Sequence, residues 1–450
     1  MSVNTAPYGS WKSPITADLI VANTIGLADV YLEGQNLYWQ ELRPAEGGRN
    51  VVMQLQADDS FQERTPTDFN VRTRVHEYGG GSFTIANSRI YGANFADQRL
   101  YQIQVGQAPK PLTPDLPLRY ADGRVGIKQQ IWIGVREDHR DPKTVTNTIV
   151  AIPLGREEHE GEVLVEGNDF YAAPRISPDG KYLAWLTWNH PNMPWDNTEL
   201  WVAPLLPNAT LGEPQRIAGG TNESIAQPVW SPDNQLYFVS DRSNWWNIYG
   251  WSPTGGKLRH VCAHKAEFTQ PQWVFDASTY GFSSAAEIIC TFTQQGSWYL
   301  GRINVQTGEL TPIPCPYTEI GSLRVSGQRA AFIAASPTEL PALITLDLQT
   351  ETLRIVRRSS DLSLDPGYLA IPESISFPTA DGRAAYGLYY APQNRDVAAA
   401  PTERPPLLVK SHGGPTAAAR CGLSLGIQYW TSRGIAVLDV NYGGSTGYGR

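Results

Sequence analysis

The chain has 450 residues, enough for two or three domains. Its 36 basic and 44 acidic residues leave a formal charge of −8 with no long run of either sign, which excludes the basic stripe of a nucleic-acid binder. Its 41 glycines, 34 prolines, 14 tryptophans and 21 tyrosines suit a chain built mostly of strands and turns, and no apolar run approaches the ~20 residues that span a bilayer.

In chain order, residues 1–28 form a polar opening whose one apolar stretch is Leu19 to Val21. Met1 to Pro14 lacks a basic segment followed by an apolar core, so no signal peptide is expected and the default location is the cytoplasm. Cys262, Cys290, Cys315 and Cys421 form no C-x-x-C pair, and the histidines are scattered. Free thiols follow, with no metal and no cofactor expected.

From 29 to 362 the chain repeats itself. Short apolar pieces recur 41 to 53 residues apart: Leu37-Tyr38-Trp39, Ile90-Tyr91-Gly92, Ile131-Trp132-Ile133, Leu183-Ala184-Trp185, Leu236-Tyr237-Phe238, Ile288-Ile289-Cys290 and Ala330-Ala331-Phe332. Second strand-like pieces follow, such as Leu100 to Ile103, Glu199 to Val202, Asn247 to Trp251 and Leu343 to Leu346. Two repeats share a turn, Ser177-Pro178-Asp179-Gly180 and Ser231-Pro232-Asp233-Asn234, in which proline and then Gly or Asn set a tight reversal. Several strands per ~40–50-residue period predict a β-propeller, whose sheets bury both faces by packing in a ring. Seven repeats predict seven blades. A stack of β-sandwiches is the alternative, and it does not explain the spacing.

Within the second repeat, His76-Glu77-Tyr78 precedes three glycines, Gly79 to Gly81, which permit close backbone approach. One reading is a blade-entry turn with Glu77 paired to Arg72 or Arg74.

Pro366 and Pro372 mark an irregular stretch from 363 to 374. Ile375 to Phe377, an Asp381-Gly382 turn and Tyr386 to Tyr390 then predict a hairpin, followed by a solvent loop from Gln393 to Arg404. Leu407-Leu408-Val409 predicts a short buried strand that stops in His412-Gly413-Gly414-Pro415. Adjacent glycines at a strand end leave bare N–H groups, the element that holds an oxyanion in α/β-hydrolases. Leu423 to Arg433 predicts a helix with Leu425, Tyr429 and Trp430 on one face and Gly434 as its stop. Ile435 to Val440 predicts a second buried strand, parallel to the first, which completes a βαβ unit.

HGGP, a helix, and a strand running into Asn441-Tyr442-Gly443-Gly444-Ser445-Thr446-Gly447-Tyr448-Gly449 together resemble the prolyl oligopeptidase family of serine peptidases, in its acylaminoacyl-peptidase and dipeptidyl-peptidase-like branch. Tyr8 to Pro14 resembles the family's opening segment. The usual family form has Arg where this chain has Gly443. The resemblance implies a mostly β chain: residues 1–28 packing on the hydrolase part, a seven-bladed β-propeller over 29–362, and the first part of an α/β-hydrolase domain over 363–450.

It also implies chemistry: hydrolysis of peptide bonds of short peptides, with the propeller restricting access. Gly414 is the implied backbone oxyanion donor, and Tyr448 the tyrosine that donates instead in the prolyl oligopeptidase branch. Glu77 is the candidate that meets a substrate's amino terminus. Gly443 to Gly447 fits G-x-S-x-G, but a nucleophile elbow needs a helix directly after it, and Gly447-Tyr448-Gly449 is a poor helix start. Ser445 is therefore not expected to be the nucleophile. His412 is expected to shape its turn. The Ser-Asp-His triad is expected downstream of Arg450. The expected partner is a peptide substrate, with no nucleic acid and no membrane, and homo-oligomerisation is left open. A noncatalytic propeller scaffold that binds peptides or proteins accounts for the repeats, but not for the HGG loop and βα unit after them.

Overall fold

The computed structural model describes residues 4–22, 24–380, 382–414 and 416–450. Between Gly26 and Arg358 the chain forms seven sheets of four antiparallel strands, each sheet in sequential order. The apolar pieces that set the repeat all lie on the second strand of a blade. Those strands are covered on both faces, so Leu37, Tyr38, Trp39, Ile288, Ile289, Cys290, Ala330, Ala331 and Phe332 are fully buried. The repeated turns behave as their residues dictate. Ser177 Oγ donates to Asp179 Oδ1 at 2.7 Å, while Gly180 and Asn234 take left-handed φ of 71° and 61°.

The ring closes where the first blade meets the last. Ile25 N donates to Ser359 O, Arg324 Nε donates to Val30 O, and Arg357 pairs with Glu41. On the inner strands a second periodicity lies beneath the first. Each blade carries one left-handed residue near the channel: Asp29, Gly81, Asp122, Ala173, Gln227, Asp276 and Ser322. In five blades it falls in a bulge that shifts the register, as at Ala121/Arg124 and Ala172/Arg175. An extra residue bends the strand where the sheet meets the axis. Two positions on, Arg124, Arg175 and Arg324 converge on Asp276, which also accepts from the Tyr31 hydroxyl at 2.5 Å. Burial raises the Asp276 carboxyl, but the three guanidiniums outweigh burial and hold it well below the usual range.

After the ring comes a mixed sheet. Its strand order is Glu373–Pro378, Ala384–Tyr390, Ala436–Asn441, Leu407–Ser411. The first two form the expected antiparallel hairpin, although Asp381 of its turn lies outside the described residues. The last two are parallel, with Leu407 opposite Ala436.

Three expectations need correction. The Leu407–Ser411 strand is not buried: it is the sheet edge, with Leu407 52% and Val409 61% exposed. The helix is shorter, Leu425–Thr431, capped by Ser424, and its buried face is Ile427, Gln428 and Thr431. Gln428 decides that face, because its amide both donates to and accepts from the backbone of Ala370, while Trp430 is left 39% exposed. Gly434 stops the helix at φ 87°, and Arg433 lies over the Tyr429 ring. The loop after Gln393 is not wholly free either, since Val397–Ala398 pairs in parallel with Asn4–Thr5. Farther along the opening segment, Trp11 packs against Gly434 and Ser13 Oγ meets Ser432 Oγ at 2.7 Å.

Candidate active site

Two loops of the mixed sheet meet at its propeller side. The first is His412-Gly413-Gly414, which leaves the edge strand; Pro415, next in the motif, lies outside the described residues. Gly414 takes φ 61°, and a Cβ there would stand 3.0 Å from the Trp273 ring of the propeller. Only glycine suits both conditions. Among the described residues neither the Gly413 nor the Gly414 N–H donates a hydrogen bond. The second loop is 442–449. Its Tyr442 hydroxyl lies 3.1 Å from His412 O and 3.0 Å from Gly414 O, with its ring stacked on His412 at 4.4 Å. His412 Nε2 meets Ser445 Oγ at 2.7 Å.

That serine–imidazole contact invites a catalytic reading, and the surroundings oppose it. Ser445 is 4% exposed, and residues 446–450 after it form a turn instead of the first turn of a helix. His412 has Tyr442, Gly413 and Ser445 as partners, and among the described residues no carboxylate is hydrogen-bonded to it. A base without an orienting carboxylate lacks the third member of the constellation. The contact instead ties the two loops together.

Tyr448 stacks on Tyr386 at 4.0 Å, and its hydroxyl accepts from Asn441 Nδ2 at 3.1 Å. Burial raises the phenol, so it stays protonated. Among the described residues no hydrogen bond or ring contact joins Tyr448 to the Gly413-Gly414 loop, whereas Tyr442 reaches it directly. At Gly443, where the resemblance expects Arg, an added Cβ would meet nothing within 4 Å.

Glu77 stands on the propeller, at the rim of a cavity of about 490 Å³. Its carboxylate pairs with Arg119 at 2.9 Å and Arg74 at 3.2 Å, and these bonds, led by that of Arg119, lower its pKa. Arg72 does not pair with it but lies over the Phe95 ring. His76 and Glu77 both take left-handed φ, 53° and 62°, which non-glycine residues adopt only when held there. The holding group is Glu137, whose carboxylate accepts from the His76 N–H at 2.6 Å. Burial pushes His76 down to about 4, so its ring is neutral near pH 7.

The cavity and the HGG loop share a wall. Trp273 lines the cavity, and its Nε1 donates to Thr416 O at 3.3 Å. Sequence reasoning brought out Gly414, Tyr448 and Glu77. It named Tyr442 within the Asn441 to Gly449 motif without giving it a role, and it missed Trp273, Trp188 and Phe170, which sit in a loop or at strand ends without any periodic signal.

Comparison with solved structures decides the family. A puromycin-hydrolyzing peptidase from Mycobacterium tuberculosis superposes with a TM-score of 0.93 at 35% identity, over 99% of this chain and 71% of its own. This chain belongs to the prolyl oligopeptidase family of peptidases. A puromycin hydrolase matches at a TM-score of 0.91 and 35% identity, over 100% of this chain and 71% of that one. Prolyl oligopeptidase B from Galerina marginata, bound to a 25mer macrocyclization substrate, has the same fold at a TM-score of 0.72 and 10% identity, over 96% of this chain and 63% of its own. No family model and no curated protein matches the chain.

Proposed function

We propose that this family member acts as a serine-type peptidase on short peptides, with its propeller restricting access to the scissile bond. One observation carries the reading: the Gly413-Gly414 loop, whose N–H groups donate to no partner among the described residues, stands against Trp273, a wall of the propeller's aromatic cavity. A peptide seated in the cavity would then lie beside donors aimed at a developing oxyanion. The proposed division is 1–28, 29–362 and 363–450, in line with strands that run from Gly26 to Arg358 and from Glu373 to Asn441. The triad is proposed to follow Arg450, which agrees with relatives longer than this chain.

The test is hydrolysis of short fluorogenic peptides against a folded protein substrate, together with labelling by a fluorophosphonate probe. Preferential cleavage of the short peptides by an enzyme carrying this chain supports the reading. Equal cleavage of folded protein removes the gating role, and probe labelling that disappears on Ser445→Ala makes Ser445 the nucleophile after all. Glu77 is proposed to favour substrates with a free amino terminus. Glu77→Gln should raise KM for such peptides and spare N-acylated ones, while equal effects on both would leave it a structural ion pair.

A further inference from the structure

The propeller has a second cavity, at the end of its channel away from the mixed sheet. The inner strand Phe170–Ile176 runs from one to the other: Phe170 lines the cavity beside the HGG loop, while Arg175 and Ile176 line this distal one. Every blade contributes to its wall, and its volume of about 600 Å³ is that of a small-molecule site. A peptide cannot reach it from the HGG side. There the three glycines of the second blade cross the channel to the sixth, where Phe275 N donates to Gly79 O at 3.0 Å and Gly80 bridges Phe275. A Cβ on Gly80 would stand 2.7 Å from the Phe275 N and O, so the two backbones meet at the axis. Between this bar and the Asp276–arginine cluster the void is about 10 Å³, room for one water. Whatever enters the distal cavity comes from its open mouth.

The floor of that cavity is cationic. Arg124, Arg175 and Arg324 line it with Asp276, and Glu33 is the one other charged residue of its wall. Asp276 serves all three guanidiniums, and Asp122, behind the floor, pairs with Arg175 at 2.8 Å. Three cations thus meet two committed carboxylates. Asp29 is the remaining acid beside them, and burial, followed by the Asp276 carboxylate, pushes it up to about 7, so near neutral pH it is only part-ionised. Nor are the guanidinium donors used up. Arg124 Nε and Arg324 Nη1 hydrogen-bond to nothing among the described residues, and neither is sealed from solvent. Unspent guanidinium N–H groups beside a positive excess suit a carboxylate. Above the floor the wall is apolar, with Ile85, Val125, Ile176, Val229 and Phe282. The polar tips of its aromatic residues are already engaged: Trp230 Nε1 donates to Arg175 O at 2.9 Å, and the Tyr280 hydroxyl to Gln227 O at 2.8 Å.

We propose that the distal mouth of the propeller binds a small organic carboxylate on an apolar body, with Arg124 and Arg324 holding the carboxylate and Val125, Ile176 and Phe282 receiving the body. One anion then joins the third blade to the seventh, and it stabilises the closed ring by mass action. This site stands apart from the peptidase reading and does not depend on it.

Calorimetry and thermal unfolding of the protein at low salt test it with N-acetyl-L-phenylalanine. N-acetyl-L-phenylalaninamide is the uncharged match, and acetate is the anion without a body. N-acetyl-L-phenylalanine should bind at least about tenfold more tightly than either, and it should raise Tm as its concentration rises. Ile127 lines the mouth and is 52% exposed, so a substitution there spares the core. Ile127→Glu should weaken binding of the acid about two- to fivefold, Ile127→Gln should leave it unchanged, and Glu33→Gln should tighten it by a similar factor. Arg124→Gln should abolish the preference for acid over amide, and the variants at the mouth decide the matter if that protein does not fold. Acetyl-alanyl-alanyl-phenylalanine separates two sources of the same chemistry: affinity kept assigns the site to peptide carboxy termini, and affinity lost assigns it to free acids. Equal binding of acid and amide, acetate binding as tightly as N-acetyl-L-phenylalanine, or an Ile127→Glu protein that binds the acid as before would each overturn the proposal.

Discussion

The propeller and the mixed sheet handle apolar strands in opposite ways. In the ring every second strand has a sheet partner on both sides and a neighbouring blade on each face, so an apolar run such as Ala330-Ala331-Phe332 disappears completely from solvent. In the mixed sheet an equally apolar run, Leu407-Leu408-Val409, sits on an edge and shows two of its three side chains. Apolar composition therefore reports what a strand can bury, and topology reports whether it does. The same contrast separates the glycines. Those of the second blade are pressed between backbones, while Gly443 of the mixed sheet's loop faces open space.

The sharpest way to break this comparison is to truncate equivalent apolar residues in the two regions. Phe332→Ala should cost about 3–5 kcal/mol in denaturant unfolding, because the cavity it leaves cannot collapse within a packed ring. Val409→Ala should stay within about 0.5 kcal/mol. Similar losses at both sites would show that the edge strand is covered in solution.

At the seam of the two regions, Gly414→Ala should lower kcat about 10²–10³-fold in an enzyme carrying this chain, as expected for loss of an oxyanion donor, by driving the loop off Trp273. Tyr448→Phe should hardly change kcat, since that hydroxyl is held by Asn441. A hundredfold fall for Tyr448→Phe with KM held would transfer the donor role to the tyrosine.

Among glycines, Gly80→Ala should cost about 1–3 kcal/mol from its left-handed φ of 86° alone, with the clash against Phe275 added to that. Gly443→Ala should be nearly silent in thermal unfolding. A silent Gly80→Ala would mean that the bar across the channel is loose.

The smallest effect is expected at Glu267, a propeller carboxyl that accepts from Trp246 N and, across the seam, from Gly449 N at 3.0 Å. Burial pushes it up to about 7 despite those two donors. The folded protein then holds a proton that the unfolded chain releases near the usual ~4.3, so this group's contribution to stability falls as pH rises from there to about 7. Between pH 5 and pH 8 the difference in Tm between Glu267→Gln and the parent should move in favour of the variant. A constant difference would show that Glu267 titrates normally.

Seven blades were legible because burial on both faces imposes a repeating apolar signal on each second strand, from Leu37 to Ala330. HGG and GGSTGYG were legible because glycines cluster in them, and Gly414, Gly444, Gly447 and Gly449 take the left-handed φ that favours glycine, while Gly413 and Gly443 meet nothing a Cβ would touch. The αL residues of the inner strands escaped notice, since Asp29, Ala173 and Gln227 share a backbone bend and no side-chain chemistry. The helix face was misread because Gln428 looks polar until Ala370, 58 residues away, supplies its partners.

By itself, then, the sequence determined what is local or periodic: strands, turns, blade number and the glycines of two loops, all set by interactions within a few residues or by a repeated burial pattern. Only the tertiary structure decided which residues meet. Gly80 finds Phe275 across the axis, three arginines from different blades find Asp276, and Trp273 finds Gly414 across the seam. The first two depend on the blades closing into a ring and the third on the mixed sheet docking against it, and both bring together residues remote in sequence without leaving a mark on the pattern around either one.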